Sequence, residues 1–347
     1  MATSRLEFAL DTGAFVVPEE GRIAVFGPPG DMDLSVLPRD RCHIIQTFKP
    51  DHDLWALRGY DCATAAEGDY ALALVCLARA RAETEHRIAQ ASDAVSSDAL
   101  ASDAVASDAM PVGQIVIDGQ KTDGIDTVLR ALRPRTETGA PVSKAHGKLF
   151  VIAPGGVSDW HGSARDIDGF TTFPGVFSAD GIDPGSAALA AVLPAKLGRR
   201  VADMGAGWGY LSAQVLLREG VEALHLIEAD HTALACARRN IIDPRAQFHW
   251  ADATAPLPDL LVDTVVMNPP FHVGRKADPS LGRAFIVAAA RLLTGSGHLW
   301  MVANRHLPYE TTLAECFTTV TEVAGDPRFK LLHATRPLRK ARGSGQR

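Results

Sequence analysis

Arg200-Val201-Ala202-Asp203-Met204-Gly205-Ala206-Gly207-Trp208-Gly209 is a short apolar run that reaches an acid and then sets glycine at every second position. The run reads as a buried strand. Glycines at alternate positions let a backbone pass close beneath a ligand. Tyr210 to Glu219 reads as the helix that follows. Its first turn offers unpaired N–H groups and the positive end of a dipole. Strand, glycine turn and helix are the opening of an open α/β sheet, which binds ligands at the carboxyl ends of its strands. The turn alone is compatible with dinucleotides, with other nucleosides, or with no ligand.

The residues downstream extend the pattern. Leu224–Glu228 reads as the next strand and ends on an acid, Glu228, suited to accept both hydroxyls of a ribose. After the helix Thr232 to Asn240 and the strand Gln247–Trp250 comes Asp252, which with the Ala253 backbone can read an adenine edge. Alone, Asp252 is an ordinary turn or cap residue. Asp263 to Met267 is a fourth strand, and it runs into Asn268-Pro269-Pro270-Phe271. Two prolines remove two backbone donors and fix two φ angles. A corner of bare, immobile carbonyl acceptors results, beside a nucleoside-type site. Ser280 to Leu293 reads as a helix, and strands at His298–Ala303, Thr319–Val323 and Phe329–Ala334 follow, the last two close enough to form an antiparallel edge.

Upstream, Asp183-Pro184-Gly185-Ser186 reads as an N-cap with proline in the first turn. The N-terminal half alternates similarly: strands at Arg22–Phe26, Gly113–Gly119 and Lys148–Ile152, a helix at Asp126–Arg133, and a helix over Tyr70–Ala91. The segment from Ser92 to Met110 is a near-repeat of Ser-Asp-Ala with a period of five, which suits neither helix nor strand and reads as a solvated insertion.

The bulk properties exclude some classes. The chain has 347 residues, 46% hydrophobic and 22% charged, enough for two cored domains. Its formal net charge of -6 argues against non-specific coating of nucleic acid. Basic residues still cluster after Asp326 (Arg328, Lys330, Arg336, Arg339, Lys340, Arg342, Arg347) and in the first half (Lys121, Arg130, Arg133, Arg135, Lys144, Lys148). Cys42, Cys62, Cys76, Cys236 and Cys316 are scattered, which suggests neither disulfides nor a metal site. No signal-peptide core or membrane span is read, so a cytoplasmic protein is expected.

Taken together, Asp203-x-Gly205-x-Gly207-x-Gly209, Glu228, Asp252 and Asn268-Pro269-Pro270-Phe271 resemble class I S-adenosylmethionine-dependent methyltransferases acting on exocyclic or amide nitrogen. Phe173-Pro174-Gly175-Val176-Phe177-Ser178-Ala179-Asp180-Gly181-Ile182-Asp183-Pro184-Gly185-Ser186, Asn268 to Gly274 and Val302-Ala303-Asn304-Arg305-His306-Leu307-Pro308-Tyr309 narrow the resemblance to the bacterial ribosomal RNA guanine-N2 methyltransferases. It is dense from about Phe173 to Lys330.

The resemblance implies two Rossmann-like methyltransferase domains in an α/β chain. Residues 1–160 are expected to be a degenerate copy for substrate recognition or support, with residues 92–110 inserted. Residues 166–347 are expected to be catalytic, on a mostly parallel seven-stranded sheet with an antiparallel edge. Gly27-Pro28-Pro29-Gly30 lacks the glycine pattern, so the first half is not expected to bind cofactor. Asp203, Gly205, Gly207, Gly209, Glu228, Asp252, Ala253 and Asn268 are the expected S-adenosylmethionine-binding residues, with Phe177 and Asp183 as further candidates. Asn268, Pro269, Pro270 and Phe271 are the expected catalytic set, Phe271 stacking on the base. No metal is expected. The implied partner is ribosomal RNA or a ribosomal subunit, the small one favoured, and the protein is expected to act as a monomer. Rival readings are methylation of a protein glutamine amide, and an inert methyltransferase fold serving as an rRNA-binding assembly factor.

Overall fold

The computed structural model describes residues 4–95, 113–257, 260–270, 272–273, 276–277 and 279–338. The chain divides into two compact units, Met1–Ala164 and Arg165–Arg347.

The first unit contains α1 (Arg5–Asp11), β1 (Ile23–Phe26), β2 (Cys42–Ile45), α2 (Lys49–Leu57), β3 (Asp61–Ala63), β4 (Leu72–Cys76), α3 (Arg81–Ala94), β5 (Gln114–Gln120), α4 (Ile125–Leu132), β6 (Val142–Lys144) and β7 (Gly147–Ile152). Its sheet has the order β3-β2-β1-β4-β5-β7-β6, parallel up to β5 and antiparallel at β7 and β6. The single helix expected over Tyr70–Ala91 is instead a strand and a helix. Leu72 to Cys76 are all buried, because the strand is central and covered on both faces. Burial on both sides overrides the helical preference of Ala and Leu there. The start of the Ser-Asp-Ala repeat is also corrected: Ser92 to Ala94 continue α3. The rest of that segment, residues 96–110, lies outside the described residues.

The second unit opens with a hairpin, β8 (Arg165–Ile167) and β9 (Phe170–Thr172). It continues with α5 (Pro184–Val192), β10 (Arg200–Met204), α6 (Tyr210–Leu216), β11 (Ala223–Glu228), α7 (His231–Asn240), β12 (Ala246–Trp250) and β13 (Val262–Met267). A two-residue pair, β14 (His272–Val273) and β15 (Lys276–Ala277), precedes α8 (Pro279–Leu292), β16 (Leu293–Asn304), α9 (Glu310–Cys316), β17 (Phe317–Gly325) and β18 (Phe329–Pro337). The main sheet has the order β12-β11-β10-β13-β16-β18-β17, with an antiparallel edge at β18 and β17. Met204, Val265, Ile286, Met301 and Leu313 pack one face, and Leu189, Val215, Leu234 and Val266 the other. Among the described residues no helix is long and apolar enough to cross a membrane.

The helix starts are set locally. Asp183 caps α5 by accepting from Ser186 N at 2.7 Å, with Pro184 in the first turn. Asp230 caps α7 through Thr232 N at 2.9 Å, and Arg238 and Arg239 sit in its last turn.

Candidate active site

The carboxyl ends of β12, β11, β10 and β13 lie side by side. Glu228 is in register with Trp250, and Met204 with both Ile227 and Met267. The residues after those four strands therefore converge on one edge.

The turn after β10 is held from below. Gly205 N donates to Ile227 O at 2.9 Å, and Gly209 N to Ala206 O at 3.0 Å. Gly207, at φ +56°, would point a side chain into open space, with nothing within 4 Å. Gly209, at φ +94°, would press one against Ile241 at 3.2 Å and Ala237 at 3.4 Å. The first leaves the backbone open to a ligand; the second lets α7 pack. Between them Trp208 is buried, and its indole Nε1 donates to Phe177 O at 2.9 Å. Asn240 Nδ2 donates to Trp208 O at 2.8 Å, and its amide also joins both backbone groups of Thr171. The turn is thus pinned by the segment that precedes α5. The Phe177 ring itself is 53% exposed, so its backbone rather than its ring makes this contact.

Two carboxyl groups sit under the turn. Asp203 is fully buried; Oδ2 accepts from Ser212 Oγ at 2.7 Å, and Oδ1 has no hydrogen-bond partner among the described residues. Burial pushes its pKa up to about 7, against the pull of the Ser212 hydroxyl and with a smaller push from the charge of Glu228. Glu228 accepts from Gly207 N at 2.7 Å and from Asp230 N at 2.8 Å. Burial raises its pKa, and those backbone bonds oppose the rise. Each carboxylate oxygen keeps acceptor capacity beyond one bond. Asp252 folds back on Thr254, accepting from its N at 2.8 Å and its Oγ1 at 2.7 Å, while Ala253 is buried.

At the end of β13, Asn268 Nδ2 donates to Asp183 Oδ2 and to Ser186 Oγ, both at 2.9 Å. Two acceptors on one nitrogen fix which way the amide faces. Its hydrogens are committed, and its oxygen is what it can offer a further donor. Pro269 is buried and Pro270 exposed. Phe271, expected to stack on a base, lies outside the described residues, as do Arg339, Lys340, Arg342 and Arg347.

The structure therefore brings Asp203, Gly205, Gly207, Gly209, Glu228, Asp252, Ala253 and Asn268 to one edge. Asp183 reaches it through Asn268 and Phe177 through Trp208. Ser186, Ser212 and Asn240 were not singled out from sequence. Ser186 stood in the cap motif, but its partner is 82 positions away. Tyr309, from the late motif, is fully buried against Gly282, where a Cβ would come within 2.0 Å of its hydroxyl. That motif shapes the packing of α8.

The edge suits a nucleoside carrying an ammonium group. A buried acceptor without a partner and a second carboxylate match a cation and a diol, and the open backbone at Gly207 allows close approach. Residues 169–333 match the methyltransferase small domain. A ribosomal RNA large subunit methyltransferase G of Ectopseudomonas mendocina is 38% identical over 46% of this chain and 44% of its own length. A ribosomal RNA small subunit methyltransferase C of Hahella chejuensis is 30% identical over 63% of this chain and 68% of its own. The match to the first of these relatives therefore spans less than half of that protein. Among solved structures, a T. thermophilus 16S rRNA N2 methyltransferase in complex with AdoMet and guanosine superposes with a TM-score of 0.73 at 23% identity, over 92% of this chain and 90% of that one. At that identity the likeness is one of fold.

Proposed function

This chain belongs to the ribosomal RNA methyltransferase family, whose cofactor is S-adenosylmethionine, and from that premise we propose that it methylates the exocyclic N2 of a guanine in ribosomal RNA, with the small subunit as the favoured source. The observation that carries this reading is the Asn268 amide, turned by Asp183 and Ser186 so that its oxygen is the acceptor on offer. The small-subunit preference follows the 30%-identical small subunit methyltransferase C, 68% of which the match covers, and the relatives named for the large subunit make its rRNA the alternative that the test decides.

The Asp203 carboxyl would take the cofactor's ammonium group, Glu228 its ribose hydroxyls, and Asp252 with the Ala253 backbone its adenine edge. When bound, S-adenosylmethionine supplies a methyl group on a positively charged sulfur. What this chain's residues do is positional. The lone pair of the guanine amine is delocalised into the ring, so the nitrogen is a weak nucleophile. The Asn268 oxygen and the Pro269 carbonyl accept its two N–H groups and turn the lone pair toward the methyl carbon. Neither acceptor reorganises during the step, because Asn268 is clamped and the prolines fix the chain. Methylation would make the nitrogen acidic, and its proton would pass to water. No dedicated base is required, and the rate comes from placement. The base must be unstacked or already single-stranded to reach this corner.

The test is to incubate the protein with methyl-labelled S-adenosylmethionine and naked rRNA, ribosomal subunits or protein extract. Label in small-subunit rRNA is expected. Label in protein alone would refute the proposal.

A further inference from the structure

The second unit carries a cavity at the opposite end of the same sheet. Beneath the C-terminal end of α5 a cavity of about 460 Å³ opens between the segment Pro194–Gly198 and the sheet. Three aromatic rings stand in a row along it. Trp300 and His333 are cross-strand partners with centroids 4.0 Å apart and planes at 18°. His333 and His298 lie 5.2 Å apart at 4°, with Nδ1 of His298 3.0 Å from Nε2 of His333. Burial, with a smaller push from His298, lowers the pKa of His333 and so favours its neutral ring. Thr264, Thr294 and Ser296 add hydroxyls to the lining, and Lys196 adds a cation.

The cavity is preformed. Thr264 Oγ1 donates to Leu197 O. Asp263 Oδ2 accepts from Arg199 N and Arg200 N, each at 3.0 Å. Gly198, at φ +94°, crosses so close that a Cβ would lie 2.7 Å from that of Asp263. These bonds fix the outer wall against the strands, and they use the one acid in the lining for backbone donors. Lys196 faces Glu219 only at 4.0 Å with both well exposed, so water screens that pair and the ammonium stays available to a phosphate. Thr335 of β18 lies opposite His298, and the next residue, Arg336, is exposed and adds a second cation near this end of the strand.

Rings in a row, hydroxyls and exposed cations at Lys196 and Arg336 are the chemistry of single-stranded nucleic acid binding. Bases stack on aromatic faces, and the backbone follows the cations. Hydroxyl side chains can meet base edges or the 2′-OH. We propose that the Trp300–His333–His298 cavity binds an unpaired base of the RNA substrate, as an anchoring contact separate from the methyl-transfer corner. Thr264 and Asn268 are the two ends of one strand, about 13 Å apart at some 3.3 Å per residue. The cavity therefore takes a different nucleotide from the one methylated. This inference rests on the reading that the substrate is RNA.

The test is fluorescence anisotropy of a labelled small-subunit rRNA fragment with the full chain. His298→Ala and Lys196→Glu alter exposed side chains, and Trp300→Leu removes the central ring, its fold checked by thermal melting. His298→Ala and Trp300→Leu are each expected to raise the RNA Kd by about five-fold or more, the effect of losing one stacked base. The Kd for S-adenosylmethionine and the kcat at saturating RNA should not move. Lys196→Glu should flatten the dependence of log Kd on log salt. Unaltered RNA affinity in folded His298→Ala and Trp300→Leu would overturn this inference and leave the methyl-transfer reading standing. GMP or UMP binding at micromolar concentration, with RNA affinity unmoved by the variants, would give the cavity to a free nucleotide and overturn it too. A wild-type protein that neither binds nor methylates any RNA would overturn both.

Discussion

The two units have the same strand order, and their turns align residue by residue. Gly27 N donates to Ile45 O at 2.8 Å, as Gly205 N does to Ile227 O at 2.9 Å. From that shared bond and the strand registers, Val25 stands where Asp203 does, Gln46 where Glu228 does, and Cys76-Leu77-Ala78 where Asn268-Pro269-Pro270 does. Gln46 and Glu228 even share one bond. Each accepts from the N–H two residues on, Phe48 at 2.9 Å and Asp230 at 2.8 Å. They differ in the other. Glu228 accepts from Gly207 N, whereas Gln46 Nε2 donates to Pro28 O at 2.8 Å. A proline turn has no N–H to give, so an acid at position 46 would face a carbonyl without a donor, and an amide fits. The comparison separates scaffold from site. Identical topology carries the ligand chemistry only where the strand ends keep acids and the turn keeps donors.

Four perturbations sharpen the contrast, in decreasing order of effect. Asn268→Ala is expected to lower kcat by about 100-fold, the scale for a preorganised polar group in a transition state, with the Kd for S-adenosylmethionine unchanged within a few-fold. Turnover at the wild-type rate would end the role given to Asn268.

The second concerns Asp203. Its folded pKa is raised from 3.8 to about 7, so the folded protein holds a proton that the unfolded chain releases. That contribution to stability is complete below about pH 4 and is lost as pH rises through about 7, a change on the order of a few kcal/mol. Thermal melts across this range should show the wild type losing more stability than Asp203→Asn, while the variant binds S-adenosylmethionine more weakly. Parallel curves would contradict the assignment.

Third, Ser186→Ala removes one of the two acceptors on the Asn268 amide. A bond worth about 1 kcal/mol predicts a fall in kcat of several-fold, with the KM for cofactor unmoved, measured by steady-state kinetics. The smallest effect is expected in the first unit. Cys76→Ala, at the place corresponding to Asn268, should leave kcat and KM as they are, and a loss of activity in a folded variant would break the comparison.

Much of the second unit is legible in its sequence. Its glycine turn, its acids at strand ends and its Asn-Pro-Pro corner are local patterns, and the topology carries them to one edge. The first unit is harder to read. Ala71 to Cys76 is apolar without a period, so only the neighbouring strands distinguish a strand from a helix there. Cys42-His43-Ile44-Ile45 is too short and mixed to announce itself as β2. In the site, the clamp on Asn268 joins residues 82 and 85 positions apart, which no local pattern reports. The Asp183 cap was visible, but not that the same Oδ2 serves both Ser186 N and Asn268 Nδ2.

The central claim is that Asn268 and Pro269 hold an exocyclic guanine amine. The most direct measurement is mass spectrometry of nucleosides from rRNA methylated by this protein in vitro, wild type against Asn268→Ala. N2-methylguanosine, formed by the wild type and strongly reduced in the variant, is the expected product. A methyl group on a ring nitrogen, on another base, or in equal amount from both proteins would contradict it.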